Sequence, residues 1–191
     1  MPMDAAFTTF PTLTTERLIL RQIRPDDAEA MFAIRGDQVA MQYVGSLAHA
    51  NVDNTRAWID QLLARYADRE ALRWIVTRKG GDDTALGSCS LHHFGPGRAE
   101  VGYDLNPAYW GQGIMTEAMT AVLDTVFGVL ALHRAEANID INNAASKALL
   151  LRLGFTYEGV LRERYPGLHG YEDEHIFGLL RREWEASRRE A

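Results

Sequence analysis

The sequence predicts an α/β fold, a mixed sheet with helices packed against it. Three observations carry this. Segments that alternate apolar and polar residues are interleaved with segments of helical period. Three strand-like segments follow one another with only glycine-containing turns between them, which implies an antiparallel meander. After the meander the two periods alternate as helix, strand, helix and two strands.

In chain order, ERLILRQI (16–23) alternates at period two and reads as a half-buried strand. PDDAEAMFAI (25–34) follows with the proline and acids that suit a helix start. Residues 51–67 read as a second helix, with Ala57, Leu62, Leu63 and Tyr66 among its packing residues. The meander is LRWIVTR (72–78), TALGSCSLHHF (84–94) and RAEVGYDL (98–105). Met115, Ala118, Met119, Val122, Val126 and Phe127 then fall on one side of a long helix. HRAEANIDI (133–141) is a strand, and NAASKALLLRL (143–153) is a helix that Gly154 stops. FTYEGVLRERY (155–165) and EDEHIFGLL (172–180) close the chain as strands.

Composition bounds the function. With 191 residues, 47% of them hydrophobic, and no repeat or Pro/Ser-rich linker, the expectation is a loose lead-in over 1–13, one domain over 14–185 and a tail over 186–191. A net charge of −6 argues against a general phosphate-backbone binder and suits a cationic partner. Cys89 is the only cysteine, so neither an internal disulfide nor a thiolate zinc site can form, and a buried apolar role is expected for it. His92 and His93 adjoin on a strand, so they are expected to point to opposite faces and not to form a simple paired metal site. No stretch approaches the roughly 20 apolar residues of a membrane span, and residues 1–11 lack a signal core, so a cytoplasmic protein is expected.

The loop NPAYWGQGIMTEAM (106–119) sets Gly111 and Gly113 directly before a helix. Glycine lets the chain turn tightly or approach a ligand closely. A helix start also offers unpaired N–H groups and partial positive charge to an anion. From the loop alone both readings stand. GQGIMT has neither the Gly-Lys-Ser/Thr ending of a P-loop nor the third glycine of a dinucleotide fingerprint.

ERLILRQIRPDDAEAMF, AEVGYDLNPAYWGQGIMTEAM, HRAEANIDINNAASKALLLRLGFTYEGVLRE and DEHIFGLLRREW occur in an order and spacing that resemble the Gcn5-related N-acetyltransferases (GNAT). The ribosomal-protein N-terminal acetyltransferase subgroup is the most similar. The resemblance implies a central, mostly antiparallel sheet with one splayed parallel strand pair that binds acetyl-CoA. Its pyrophosphate would lie on the main-chain N–H groups of Gly111, Gln112, Gly113, Ile114, Met115 and Thr116. Since Trp110 and Met115 replace the usual first and last residues of the loop pattern, the backbone must do that binding. The pantetheine arm would run along Tyr103, Asp104, Leu105 and Asn106 as an added strand would. Asn143 would meet the arm and Ser146 the sulfur, the alternative being that Asn142 or Asn143 only caps a helix. Glu100 matches the base glutamate of some members, and a buried salt-bridging acid is its alternative role.

The implied reaction is direct acetyl transfer from acetyl-CoA to a primary amine in a ternary complex. The preferred acceptor is the α-amine of a protein N-terminus, whose pKa of about 8 makes it easier to deprotonate than lysine at about 10.4. A small amine (antibiotic, amino acid or polyamine) is the alternative, followed by a non-catalytic acyl-CoA-binding domain. No metal, nucleic-acid or membrane partner is implied, and the protein is expected to be a monomer or homodimer.

Overall fold

The computed structural model describes residues 2–167 and 170–190. Eight strands form one sheet: β1 (Leu13–Thr14), β2 (Leu18–Gln22), β3 (Leu72–Arg78), β4 (Gly87–Gly95), β5 (Arg98–Leu105), β6 (Arg134–Asp140), β7 (Thr156–Gly167) and β8 (Gly170–Leu180). Their order is β1-β2-β3-β4-β5-β6-β8-β7, and every pairing is antiparallel except β5 with β6. That parallel pair is brief. Arg98, Ala99 and Glu100 oppose Arg134, Ala135 and Glu136, and beyond them the strands part. β5 goes on pairing with β4 as far as Leu105, and β6 with β8 as far as Asp140, so a cleft opens between two intact half-sheets.

Alternation along the strands sorts the two faces. Trp74, Val76, Cys89, Leu91, Ala99 and Val101 join the larger core, which contains Met115, Ala118, Met119, Val122 and Leu123 of α5 (Ile114–Asp124). Ile75, between Trp74 and Val76, points the other way. It joins a smaller core under α2 (Ala28–Arg35) and α4 (Val52–Ala67), with Met31, Ile34, Ile59 and Leu62. On that second face the strands beyond Ile75 turn polar. Arg73 opposes Ser90, Ser88 opposes Asp104, Ser90 opposes Gly102 and His92 opposes Glu100, all one layer of the register. This polar layer floors the site described below.

Residues near both ends of the chain form helices. The lead-in holds α1 (Pro2–Ala6), and its Phe7 and Phe10 rings lie 5.6 and 5.4 Å from Tyr66. Buried Trp74 fixes it further by donating its indole N–H to the Pro11 carbonyl at 2.7 Å. The residues taken for a tail continue α7 (Arg181–Glu190), anchored by buried Trp184, whose indole N–H donates to Asp124 Oδ1 at 3.0 Å. The other helices are α3 (Gln38–Met41), with Asp37 as cap, and α6 (Ala144–Arg152); α5 runs on into a π-helical turn over Thr125–Val129.

Candidate active site

The loop after β5 answers the question its glycines raise. Asn106 caps a short turn through Oδ1, and Trp110 folds back to donate its indole N–H to the Leu105 carbonyl at 2.8 Å. Gly111 and Gly113 then take φ of +71° and +74°, in the left-handed region that side chains disfavour. The turn alone therefore requires glycine. Yet a Cβ on Gly111 would meet nothing within 4 Å, and one on Gly113 only Arg17 Nη2 at 3.6 Å, so the loop's outer side is open. Gly113 caps α5 without any side-chain bond, which leaves the first-turn N–H groups facing that space. Ile114 and Met115 bury their side chains, Met115 Sδ lying 3.6 Å from Cys89 Sγ, so these two residues can face the opening only through their main chain.

Two cations that sequence reasoning did not place here flank the loop. Arg17 donates to the Gln112 carbonyl at 3.2 Å and to Glu117 Oε2 at 2.6 Å, and Arg78 stands over the Tyr109 ring. Both reach the loop from the β2–β3 side of the fold, a long-range neighbourhood with no local signal. The helix start, the glycines without Cβ and the flanking arginines fit a polyphosphate.

The widening cleft between β5 and β6 leads inward from the loop. Ser146, in the first turn of α6, is buried at its side, and its Oγ lies 2.5 Å from Tyr103 Oη of β5. Burial pushes the Tyr103 phenol well above its ordinary range, so it stays protonated at neutral pH. The sequence reading gave Tyr103 a main-chain role only; the hydroxyl pair needs the cross-cleft register to be seen. Asn143 Oδ1 accepts the Ser146 N–H at 3.0 Å, which is the capping bond, so this oxygen holds α6 in place. Cys89 is buried beneath, its thiol pushed up by burial, and is unsuited to nucleophilic work.

On the polar face a cavity of about 410 Å³ is bordered by Glu100, Tyr103, Asp104, Asn143 and Ser146, so the structure brings these expected residues together. One expectation is overturned. His92 and His93 do not diverge, because His93 has φ of +47° where the β4–β5 register shifts, and this bulge breaks the alternation. His93 Nδ1 lies 2.9 Å from Glu100 Oε2 and His92 Nε2 3.5 Å from Oε1. The donor atoms of all three residues lie within 4.8 Å of one another. Burial acts to raise the Glu100 pKa, but the bonds and charges of the two imidazoles outweigh it and hold the carboxyl below its ordinary range. Glu174, on β8 across the cavity, is pushed the opposite way, by burial and then by the charge of Glu100. Asp140 accepts from Tyr165 Oη at 2.7 Å at the same rim. Glu174 and the arginines of this cavity were not anticipated, since nothing in their local sequence separates them from ordinary strand or helix polar positions.

A parallel strand pair parts beside an uncapped, glycine-led helix start, which leaves an open cleft leading to a ready-made anion site. The chain belongs to the GNAT acetyltransferases, whose acetyltransferase (GNAT) domain model matches residues 17–156. An uncharacterized N-acetyltransferase of Bacillus subtilis, YoaA, is 35% identical over 156 residues, covering 81% of this chain and 88% of that protein. The [ribosomal protein uS5]-alanine N-acetyltransferase of Escherichia coli is 34% identical over 80 residues, 42% of this chain and 41% of its own. A Vibrio cholerae structure, provisionally described as a ribosomal-protein-serine acetyltransferase, superposes with a TM-score of 0.78 at 26% identity, over 90% of this chain and 98% of that one. The protein is thus an acetyltransferase, and enzymes of this family draw the acetyl group from acetyl-CoA. Among the described residues no helix is long and apolar enough to cross a membrane.

Proposed function

We propose that the enzyme acetylates the α-amine of a protein N-terminus, in the cytoplasm, by direct attack on acetyl-CoA. The observation that carries the acceptor class is the shape of the site. The cavity floored by β5 continues into a second of about 330 Å³, and the two share Tyr43, Gly45, Asp140 and Tyr165. Two joined cavities, lined by exposed Val44 and Leu47, accommodate a peptide chain entering amine first. They exceed what a lone small amine requires. The similarity to ribosomal-protein acetyltransferases supports the same reading. From residues 43–51 and 166–171, Tyr43, Val44, Gly45, Ser46, Leu47 and Pro166 line the two cavities, and residues 168 and 169 lie outside the described residues.

Acetyl-CoA supplies an activated thioester; the chain's own residues have three tasks. The loop N–H groups of 111–116 anchor the donor, and the free edge of β5 beyond Glu100 aligns its arm. Glu100, ionised between its two imidazoles, accepts the proton that the amine loses as the C–N bond forms, directly or through water. Ser146, bonded to the neutral Tyr103 phenol, gives a proton to the sulfur as the C–S bond breaks.

Two short peptides of one sequence, both containing lysine and differing only in a free or blocked N-terminus, test the acceptor. Only the free one is expected to be acetylated, as read by mass spectrometry. Equal modification of both would make lysine the acceptor, and failure on both with rapid acetylation of a free polyamine would favour the small-amine alternative.

Glu100 makes a separate prediction about pH. Its pKa lies below the ordinary glutamate value of about 4.3, so it is ionised throughout pH 6–8 and cannot generate an acidic limb there. That limb belongs to the amine, with a pKa of about 8. Glu100→Gln is expected to lower kcat about tenfold, less than a base tuned to neutral pH contributes, and to leave the limb in place. A limb that flattens in the variant would show that Glu100 titrates in that window after all.

A further inference from the structure

The end of the acceptor cavity away from Glu100 is cationic. Arg35, the last residue of α2, is 7% exposed, and Arg73 of β3 lies on the polar sheet face; both line the cavity. Trp58 of α4 holds the two guanidiniums, whose Cζ atoms lie 4.7 and 5.2 Å from its ring centre. Arg73 donates to Ser88 Oγ at 2.7 Å and approaches Asp104 at 3.5 Å, while Asp104 also accepts from Ser88. Arg35 reaches only Ser46 Oγ, at 3.3 Å, and among the described residues it has no ion-pair partner. The Nε atoms of both arginines are buried and have no hydrogen-bond partner among the described residues.

Two guanidiniums against one carboxylate leave an uncompensated positive charge out of bulk water. Such a charge is costly to hold there unless an anion joins it. A structural ion pair would have completed itself within the fold. Here the missing partner faces open cavity. The opposite rim carries Glu100, Asp140 and Glu174, so the cavity is negative at one end and positive at the other. A cation alone fits only half of it.

We propose that Arg35 and Arg73 form an anion subsite that takes a carboxylate belonging to the acceptor itself. The preferred acceptor is then an amine with a carboxylate close by, its amine at the Glu100 end and its carboxylate paired with the guanidiniums in the geometry that arginine offers. The carboxylate comes from an acidic side chain next to a peptide N-terminus or from the α-carboxylate of a free amino acid. This rests on the amine-acceptor reading above and narrows it; a free amino acid as the source would overturn the protein N-terminus and keep the subsite. It also qualifies the inference from net charge, because the cavity carries cationic as well as anionic groups.

The test pairs each acid with its amide: a peptide beginning Ala-Asp against one beginning Ala-Asn, and alanine against alaninamide. Transfer and equilibrium binding are both measured with the wild-type enzyme. At least one acid is expected to exceed its amide tenfold or more in kcat/KM and in affinity, and the pair that does so identifies the source. Arg35→Met is expected to bring that ratio close to one, and Arg35→Lys to keep part of it, melting curves reporting whether each variant is folded. Acids and amides handled equally by the wild-type enzyme would overturn the subsite, whether or not any variant folds. Binding that prefers the acid without any transfer would instead overturn the proposed reaction and leave the subsite standing, whereas transfer without preference would do the reverse.

Discussion

In Ser146→Ala, kcat is expected to fall about 10²-fold with little change in acetyl-CoA affinity, the lower end of what proton transfer contributes. The departing sulfur needs a proton at the moment its bond to carbon breaks, and the Ser146–Tyr103 pair is the protonated group that the cleft presents. The 2.5 Å separation of the two oxygens means that removing either hydroxyl strands the other. Tyr103→Phe should therefore cost a similar factor. The double variant should lose little beyond either single one, since residues that act as a unit are not additive. Rate and affinity would be read by steady-state kinetics and calorimetry. A weaker affinity with normal kcat would move Ser146 from chemistry to binding.

Gly113→Val is expected to raise the acetyl-CoA dissociation constant at least tenfold, about 1.4 kcal/mol. Two effects combine in it. The left-handed φ of +74° is strained for a β-branched residue, and the new side chain projects into the space where the phosphates would meet the α5 N–H groups. Gly97→Val separates them. Gly97 has a similar φ of +70° but sits in the β4–β5 turn, at the other end of β5 from the loop. It should lose stability on melting while binding acetyl-CoA normally. An unchanged constant in folded Gly113→Val would remove the loop from the donor site.

Much of this site was legible because its signals are local. Period-two alternation marked 98–105 with the bounds that β5 has, and Gly111 and Gly113 announced the turn before α5. The misses share a cause, which is that they depend on partners distant in sequence or on one unusual dihedral. His93 reads as an ordinary strand residue, and only the register shift against β5 turns its ring onto Glu100. RREWEASRRE has no apolar stripe to mark a helix; its buried Trp184 packs on Phe127, a ring distant in sequence, and Arg181 and Arg188 bond to Leu132 and Asp124. Arg35 and Arg73 look like solvated charges at a helix end and in a strand. Their burial comes from Trp58 and from the polar layer of β4 and β5, which no window of sequence contains.

The parting of β5 from β6 has a mechanical side. The sheet is two plates riveted at three rungs near one end, so a force that pried the plates apart would act on those rungs through a long lever. A molecule lying lengthwise in the notch would bridge the plates where no backbone bond does and shorten that lever. A donor held there would brace the sheet at the seam where it has fewest backbone bonds. Because β5 floors the acceptor cavity on one plate while Glu174 faces it from the other, the spacing across the acceptor is set by the same hinge.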